Sequence, residues 1–322
     1  MIREHTIGIG ALELDCGQRL PAVEQRVTID GDLAANGENA VLIAHALTGS
    51  SRVAEWWPDI VGEGGPFDTR AWCAIGINVL GGRYGSTGPS NAGEPFANVT
   101  VRDMVRAQAR ALRALGIERL AYVVGGSLGG MQALQWALDY PQRVGAAIVV
   151  GAHDHHSAMG IALNGIQREC LALDPVRGLR TARKLAMLTY KSEALLSRRH
   201  GRRRDRAGGT CFDVESYLER AAEGFAARMD AATYATLTHA MDAFDVRDAT
   251  AVAASPPLHF IGISSDWLFR PGDVRAAAER LRGHGFSTTY VELESDHGHD
   301  AFLAEGAALA ALFPHRRELT VS

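Results

Sequence analysis

A serine at position 127 lies in a setting that activates hydroxyl groups for nucleophilic attack. Residues 122–130 read YVVGGSLGG, so an apolar run ends in the pattern G-x-S-x-G and a helical pattern follows at once. This order is typical of a nucleophile elbow, where small neighbours leave the serine Oγ open to a substrate. We predict Ser127 as a covalent nucleophile and the backbone N–H groups of Leu47 and Leu128 as its oxyanion hole.

A nucleophilic serine needs a base, and the base needs an acid that orients it. Asp266 follows the apolar segment LHFIGIS, and two histidines, His297 and His299, follow the last predicted strand. When the serine of a triad lies on a nucleophile elbow, the three residues occur along the chain in the order serine, acid, histidine, and this chain has that order. We therefore predict Asp266 as the acid and His299 as the base, and we interpret His297 as a loop histidine.

The elements that must position these residues alternate between apolar strands and amphipathic helices. Buried strands are predicted at AVLIAHAL, WCAIGINVL and RVGAAIVVGA, and the first part of the chain is predicted to form strands at LELDCGQRL and VEQRVTI. The alternation predicts an α/β fold with a mostly parallel central sheet and flanking helices.

The strand patterns stop after about residue 152, and helical segments such as IALNGIQRECLAL and DVESYLERAAEGFAARM follow until about residue 246. An insertion of helices at this point is expected to form a lid that limits the access of water. We predict residues 1–151 and 250–322 as the core and residues 152–249 as a helical lid.

Composition narrows the class of partner. The chain has 322 residues and a net charge of −4, which gives no electrostatic reason to expect nucleic acid or a membrane as a partner. The first residues resemble no signal peptide, and a cytoplasmic location is expected. Four scattered cysteines are expected to be reduced thiols: Cys16, Cys73, Cys170 and Cys211.

The motifs together resemble the homoserine O-acyltransferase family of α/β-hydrolases, of the homoserine O-acetyltransferase type. The resemblance lies in NAVLIAHALTGS, NVLGG with GSTGPS, GGSLGGMQALQWALDYP, SDWLF and GHDAFL, and it extends from about residue 12 to residue 303. It implies an α/β-hydrolase fold with an inserted helical lid and ping-pong acyl transfer from acetyl-CoA, or another acyl-CoA, to homoserine in methionine biosynthesis. It further implies small-molecule substrates, no bound cofactor and a homodimer formed through the lid helices.

The resemblance also implies which residues hold the amino-acid acceptor. Arg183, Tyr190 and Asp300 occupy the positions that bind it in the family. Arg183 and Tyr190 are seven residues apart, so a helix would place them on one face. The planar guanidinium of an arginine is suited to a carboxylate.

The chain departs from the family where the choice of donor and acceptor is expected to lie. Arg83 and Tyr84 follow NVLGG, where typical members have a cysteine. Arg83 is a candidate to contact a succinyl carboxylate or a coenzyme A phosphate, and it could equally be a surface residue. The alternatives are therefore a homoserine or serine O-succinyltransferase, an O-acyltransferase of specialised metabolism, and a serine esterase or thioesterase.

Two further segments could suggest other functions. His153-Asp154-His155-His156 has ligand-type residues, but their spacing is too close for one regular element, and we expect no metal there. The arginine-rich stretch at residues 197–209 lacks interleaved aromatic residues, so a solvated lid loop is expected rather than a nucleic-acid site.

Overall fold

The computed structural model describes residues 2–93, 96–206 and 209–314. Eight strands form one sheet in the order β1-β2-β4-β3-β5-β6-β7-β8. Their bounds are β1 Arg3–Glu13, β2 Arg19–Asp30, β3 Ala40–Ala44, β4 Cys73–Ile77, β5 Leu120–Gly126, β6 Val144–Val150, β7 Leu258–Ile263 and β8 Thr288–Leu293.

The sheet is antiparallel at one edge and parallel elsewhere. Strand β2 pairs antiparallel with both β1 and β4, whereas β3 to β8 pair in parallel. The prediction of an α/β-hydrolase fold with a mostly parallel sheet is confirmed. Because parallel strands end at the same edge of a sheet, the loops after β3, β5, β7 and β8 meet there.

One predicted strand is interrupted by a turn. LELDCGQRL was expected to be extended, but the chain reverses between β1 and β2, and the Leu14 N–H donates to the Gln18 carbonyl oxygen at 2.9 Å. Gly17 has φ of +83° in this turn, a conformation that glycine adopts without steric cost. The prediction of one strand across this segment is therefore wrong.

Helices cover both faces of the sheet. The bounds of the helices in the described residues are α1 Val53–Trp56, α2 Pro89–Ala92, α3 Val101–Ala114, α4 Leu128–Asp139, α5 Ala158–Leu173, α6 Pro175–Thr189, α7 Glu193–Arg199, α8 Asp213–Ala226, α9 Ala231–Asp242, α10 Pro271–Gly283, α11 Ala301–Ala304 and α12 Gly306–Ala310. On one face of the sheet α3, α4 and α10 bury Met104, Trp136 and Leu281, and on the other face α1 and α11 bury Val53 and Phe302.

Five helices, α5 to α9, separate β6 from β7 along the chain. They fall inside the range of residues 152–249 that was predicted for the lid. Helix α7 begins after Ser192, whose hydroxyl accepts the Leu195 N–H at 3.0 Å, and such N-terminal caps stabilise short helices. Among the described residues, no helix is both long and apolar enough to cross a membrane.

Candidate active site

Ser127 forms a strained turn between β5 and α4. Its φ of +58° and ψ of −126° are rare for a residue with a side chain, and its N–H donates to the Val150 carbonyl oxygen at 2.9 Å. The first turn of α4 approaches β3 so closely that a Cβ on Gly129 would lie 2.1 Å from the Ala44 carbonyl oxygen. Packing therefore requires a glycine at position 129, the second residue after the serine.

The predicted acid and base contact each other. His299 Nδ1 lies 2.6 Å from Asp266 Oδ2, and both side chains are buried. Asp266 Oδ1 accepts the N–H groups of Leu268 and Phe269 at 2.9 Å each, so the carboxylate is fixed by the turn after β7. A carboxylate at Nδ1 leaves Nε2 as the free nitrogen. That nitrogen is buried and has no hydrogen-bond partner among the described residues.

The environment of His299 changes its basicity in two opposing ways. Burial lowers the pKa of the imidazole, but the charge and hydrogen bond of Asp266, together with the charge of Asp300, outweigh burial, so the pKa of His299 is raised. The ring stacks on Phe269 with centroids 5.1 Å apart and meets Phe302 edge-on at 5.6 Å. These contacts fix the orientation of the ring.

The predicted oxyanion donors belong to two segments beside Ser127. Leu128 is the first residue of α4, where a backbone N–H has no intrahelical acceptor. Leu47 lies in the loop after β3, which His45 anchors: its Nδ1 lies 2.8 Å from the Ala46 carbonyl oxygen, and its Nε2 accepts the Val79 N–H at 3.2 Å. This arrangement fits two N–H donors near one oxyanion.

Ser127 opens into a narrow cavity. Of the predicted residues, Leu47 and Tyr190 line it together with Ser127. The other lining residues come mostly from the lid and were not predicted as site residues: His156, Leu163, Asn164, Gln167, Thr189, Met241 and Leu268. Two of them lie in motifs singled out above, His156 in the His-rich segment and Leu268 in SDWLF, and neither pattern indicates that these side chains line a cavity at the serine.

Arg183 lies behind Tyr190 rather than in the lining of this cavity. Its guanidinium carbon is 5.6 Å from the centroid of the Tyr190 ring and 4.7 Å from that of Phe225. The buried Nε and Nη1 atoms of Arg183 have no hydrogen-bond partner among the described residues. Unpaired buried donors of this kind require an explanation, and a ligand carboxylate would supply an acceptor for one edge of the guanidinium.

Asp300 already has a cationic partner. Lys191 Nζ lies 2.6 Å from Asp300 Oδ2, and the two side chains are only 12% and 21% exposed. The predicted ammonium contact of Asp300 must therefore share its carboxylate with Lys191. Sequence reasoning did not find Lys191, because 109 residues separate it from Asp300.

The lid contacts the loop of His299 directly, through residues 190–192 against residues 296–300. The Asp300 N–H donates to the Tyr190 carbonyl oxygen at 3.1 Å, and the Ser192 hydroxyl donates to the Asp296 carbonyl oxygen. Gly298 has φ of +70°, and a Cβ there would lie 2.8 Å from the Tyr190 carbonyl oxygen. We call this contact the lid–loop junction.

The two residues that depart from the family pattern contact the lid as well. Arg83 Nη1 lies 3.1 Å from Asp230 Oδ2, and the Tyr84 hydroxyl donates to the Arg228 carbonyl oxygen at 3.2 Å. Tyr84 has φ of +66°. Neither residue lines the cavity at Ser127, so their role in donor choice stays a prediction.

The His-rich segment is organised around a buried carboxylate. Asp154 accepts from Arg280 Nε at 2.6 Å and lies 2.8 Å from His155 Nδ1. Both ring nitrogens of His153 are buried without a partner, and burial lowers the pKa of His153 to about 4. Because the Arg280 guanidinium already balances the Asp154 charge, this cluster is poorly suited to a cation.

Two arginines of the arginine-rich stretch contact other parts of the protein. The guanidinium carbon of Arg204 lies 3.9 Å from the centroid of the Phe212 ring, and Arg198 pairs with Asp296. These contacts engage two of its arginines within the protein.

Residues 39–305 match the family model described as the alpha/beta hydrolase fold. The homoserine O-acetyltransferase of Acidiphilium cryptum is 42% identical over 91% of this chain and 89% of its own length. The homoserine O-succinyltransferase of Aromatoleum aromaticum is 39% identical, with 94% and 93% covered. The crystal structure of a homoserine O-acetyltransferase from Staphylococcus aureus is similar with a TM-score of 0.84 and 26% identity, covering 100% of this chain and 96% of the other.

Proposed function

Because this chain belongs to the homoserine O-acetyltransferase family of the α/β-hydrolase fold, we propose that it transfers the acetyl group of acetyl-CoA to the hydroxyl of L-homoserine. One observation carries the proposal beyond the family: Arg183 has two buried guanidinium nitrogens with no hydrogen-bond partner among the described residues, and it adjoins Tyr190, which lines the cavity at Ser127. Hydrolysis of a simple ester needs no such cation, whereas an amino-acid acceptor brings the carboxylate that would pair with it.

The first half-reaction acylates the serine. His299 Nε2 takes the proton of the Ser127 hydroxyl while Oγ forms a bond to the thioester carbonyl carbon, and the resulting oxyanion is stabilised by the N–H groups of Leu47 and Leu128. The carbon–sulfur bond then breaks, and His299 gives the proton to the departing thiolate. The products are free coenzyme A and acetyl-Ser127.

The second half-reaction transfers the acetyl group. The acceptor hydroxyl gives its proton to His299 Nε2 and its oxygen attacks the acetyl carbon, after which the bond to Ser127 Oγ breaks and Oγ regains the proton. Arg183 would bind the acceptor carboxylate, with Tyr190 and Asp300 completing the acceptor site. No cofactor or metal takes part in this scheme.

The lining of the cavity favours an acetyl over a succinyl donor. A succinyl group would place a second carboxylate near Ser127, but the lining contains no arginine or lysine. His156 is the lining residue that comes closest to offering a positive charge to such a carboxylate. Burial lowers the pKa of His156 to about 4, so its ring is neutral at pH 7. Arg83 is engaged by Asp230.

We further propose that the enzyme serves methionine biosynthesis in the cytoplasm and acts on small molecules as a homodimer. The surface of α5 and α6 supports assembly through the lid, because apolar side chains are exposed along it. These are Met159, Ile166, Leu173 and Val176.

The fate of the acyl-enzyme tests the proposed function. Purified protein is mixed with acetyl-CoA with and without L-homoserine, and thiol release and the protein and product masses are followed. We expect a stoichiometric burst of thiol with an acetyl adduct, and turnover only when homoserine is added. Rapid turnover without an acceptor would instead indicate a hydrolase, and faster acylation by succinyl-CoA would indicate a succinyltransferase. Ser127→Ala is the control that should release no thiol.

A further inference from the structure

We propose that Lys191 sets the choice of acceptor, because it competes with an acceptor's ammonium group for Asp300. The site is therefore suited to hydroxycarboxylic acids that lack an α-ammonium group, in addition to amino acids that carry one. This inference rests on the proposed function and names the acceptor class of the same site.

The pair is partly buried rather than a fully solvated surface contact. Lys191 Nζ lies 2.6 Å from Asp300 Oδ2, and the side chains are 12% and 21% exposed. Lys191 directly follows Tyr190, and Asp300 directly follows His299, so both residues are fixed beside the site. The Lys191 carbonyl oxygen also accepts Trp267 Nε1 at 3.2 Å.

The charges of the acceptor site do not match a zwitterion. Arg183 and Lys191 each bring one positive charge and Asp300 brings one negative charge, so the net charge is positive by one. An amino acid adds no net charge, and its ammonium must share Asp300 with the Lys191 ammonium. A hydroxycarboxylate monoanion brings the total to zero and leaves the Lys191–Asp300 pair intact.

Repulsion between two ammonium groups on one carboxylate is significant in a partly buried site, because the effective dielectric constant there is well below that of water. Attraction of the acceptor to Arg183 is common to both acceptor classes. Lys191 therefore acts on the difference in affinity between the two classes, which is the quantity that defines specificity.

Lys191 could instead serve only to hold the lid–loop junction together. The other contacts of the junction, from the Asp300 N–H to the Tyr190 carbonyl oxygen and from the Ser192 hydroxyl to the Asp296 carbonyl oxygen, do not involve the side chain of Lys191. A purely structural role would change the rates with all acceptors in proportion. A ratio of two acceptors measured within each variant separates the two roles.

The experiment compares L-homoserine with 4-hydroxybutanoate, which differs from it by the absence of the α-amino group. The values of kcat/KM for both acceptors are measured with acetyl-CoA for the wild type, Lys191→Met and Lys191→Arg. For Lys191→Met we expect the ratio of homoserine to 4-hydroxybutanoate to rise by about tenfold or more, because the freed Asp300 carboxylate then binds the ammonium alone. Lys191→Arg keeps the charge and should keep the wild-type ratio.

An unchanged ratio in Lys191→Met would overturn the inference, whatever happens to the absolute rates. The burst of thiol from acetyl-CoA reports on the triad without any acceptor, and it is measured in all three proteins. A change in acylation affects both acceptors alike and cancels in their ratio. A wild-type protein that forms the acetyl adduct but transfers it to neither acceptor would contradict the proposed function itself, which is a different result.

Discussion

The guanidinium carbon of Arg183 lies 4.7 Å from the centroid of the Phe225 ring. The ring offers an attractive face to the cation, yet the buried Nε and Nη1 atoms of the guanidinium find no acceptor in the part of the chain that the structure describes. Buried donors without partners destabilise a folded protein. In the protein without substrate, these unpaired donors therefore lower the stability of the fold. A bound carboxylate would supply an acceptor for one edge of the guanidinium.

Replacement of Arg183 should separate acceptor binding from acylation. For Arg183→Met we expect KM for homoserine to rise by about 10- to 100-fold, the effect of losing charge-assisted hydrogen bonds. The thiol burst should be unchanged, and the urea midpoint should not fall, since the variant removes unpaired donors. Arg177→Met is the matched control, because Arg177 is an exposed arginine of the same helix. A reduced burst in Arg183→Met would argue against an acceptor role.

The pH profile of acylation should depend on Asp266. Acylation requires neutral His299, so the rate should fall as the pH drops below the raised pKa of His299. In Asp266→Asn only the charge of Asp300 still opposes burial, so the acidic limb should move to lower pH while kcat falls on the order of 10³-fold or more. The pH dependence of kcat/KM for thiol release measures both effects. A limb that stays in place would show that another group controls it.

Two glycines in helices should respond oppositely to a methyl group. A Cβ on Gly129 would lie 2.1 Å from a backbone oxygen of β3, whereas a Cβ on Gly165 in α5 would meet nothing within 4 Å. We expect Gly129→Ala to destabilise the fold by several kcal/mol, as overpacking against a rigid backbone does, and to abolish acylation. Gly165→Ala should stabilise by about 0.5–1 kcal/mol through helix propensity. Urea unfolding of the two variants tests this contrast, and equal midpoints would contradict it.

The stability of the protein should fall in mild acid, partly because of His153. Its folded-state pKa is lowered to about 4 from an ordinary value of 6.5, so the unfolded chain binds the proton first. The stability contribution is present above pH 6.5 and is lost as the pH falls toward 4. Between neutral pH and pH 4, the free energy of unfolding of His153→Leu should fall by on the order of 3 kcal/mol less than that of the wild type. Urea unfolding at pH 7.5 and pH 4.5 measures it, and an equal loss in the variant would contradict the assignment.

The parts of the site that depend on local sequence could be predicted. A nucleophile elbow is a short motif between a strand and a helix, and Asp266 follows an apolar strand that ends at the same edge of the sheet. Parallel strands bring such loops together irrespective of the side chains that lie between them. The fold class and the proximity of Asp266 to His299 follow from these rules.

The acceptor side could be predicted only in part, because it depends on rotamers and on the packing of separate lid helices. Helical spacing placed Arg183 next to Tyr190, but it could not show that Lys191 pairs with Asp300 or that Arg83 pairs with Asp230. His156 belongs to a run of ligand-type residues in the sequence, whereas the fold places it in the lining of the cavity at Ser127. Such contacts are long-range, and no local pattern specifies them.

The lid–loop junction has a consequence for side reactions. Tyr190 lines the cavity at Ser127, and residues 190–192 hold the backbone of residues 296–300, so the lid is coupled to the loop that carries His299. A displacement of the lid large enough to admit bulk water would draw His299 away from Ser127. Water would then reach the acetyl-serine only when His299 is not in place to activate it. The same movement that admits water would therefore keep hydrolysis of the intermediate slow.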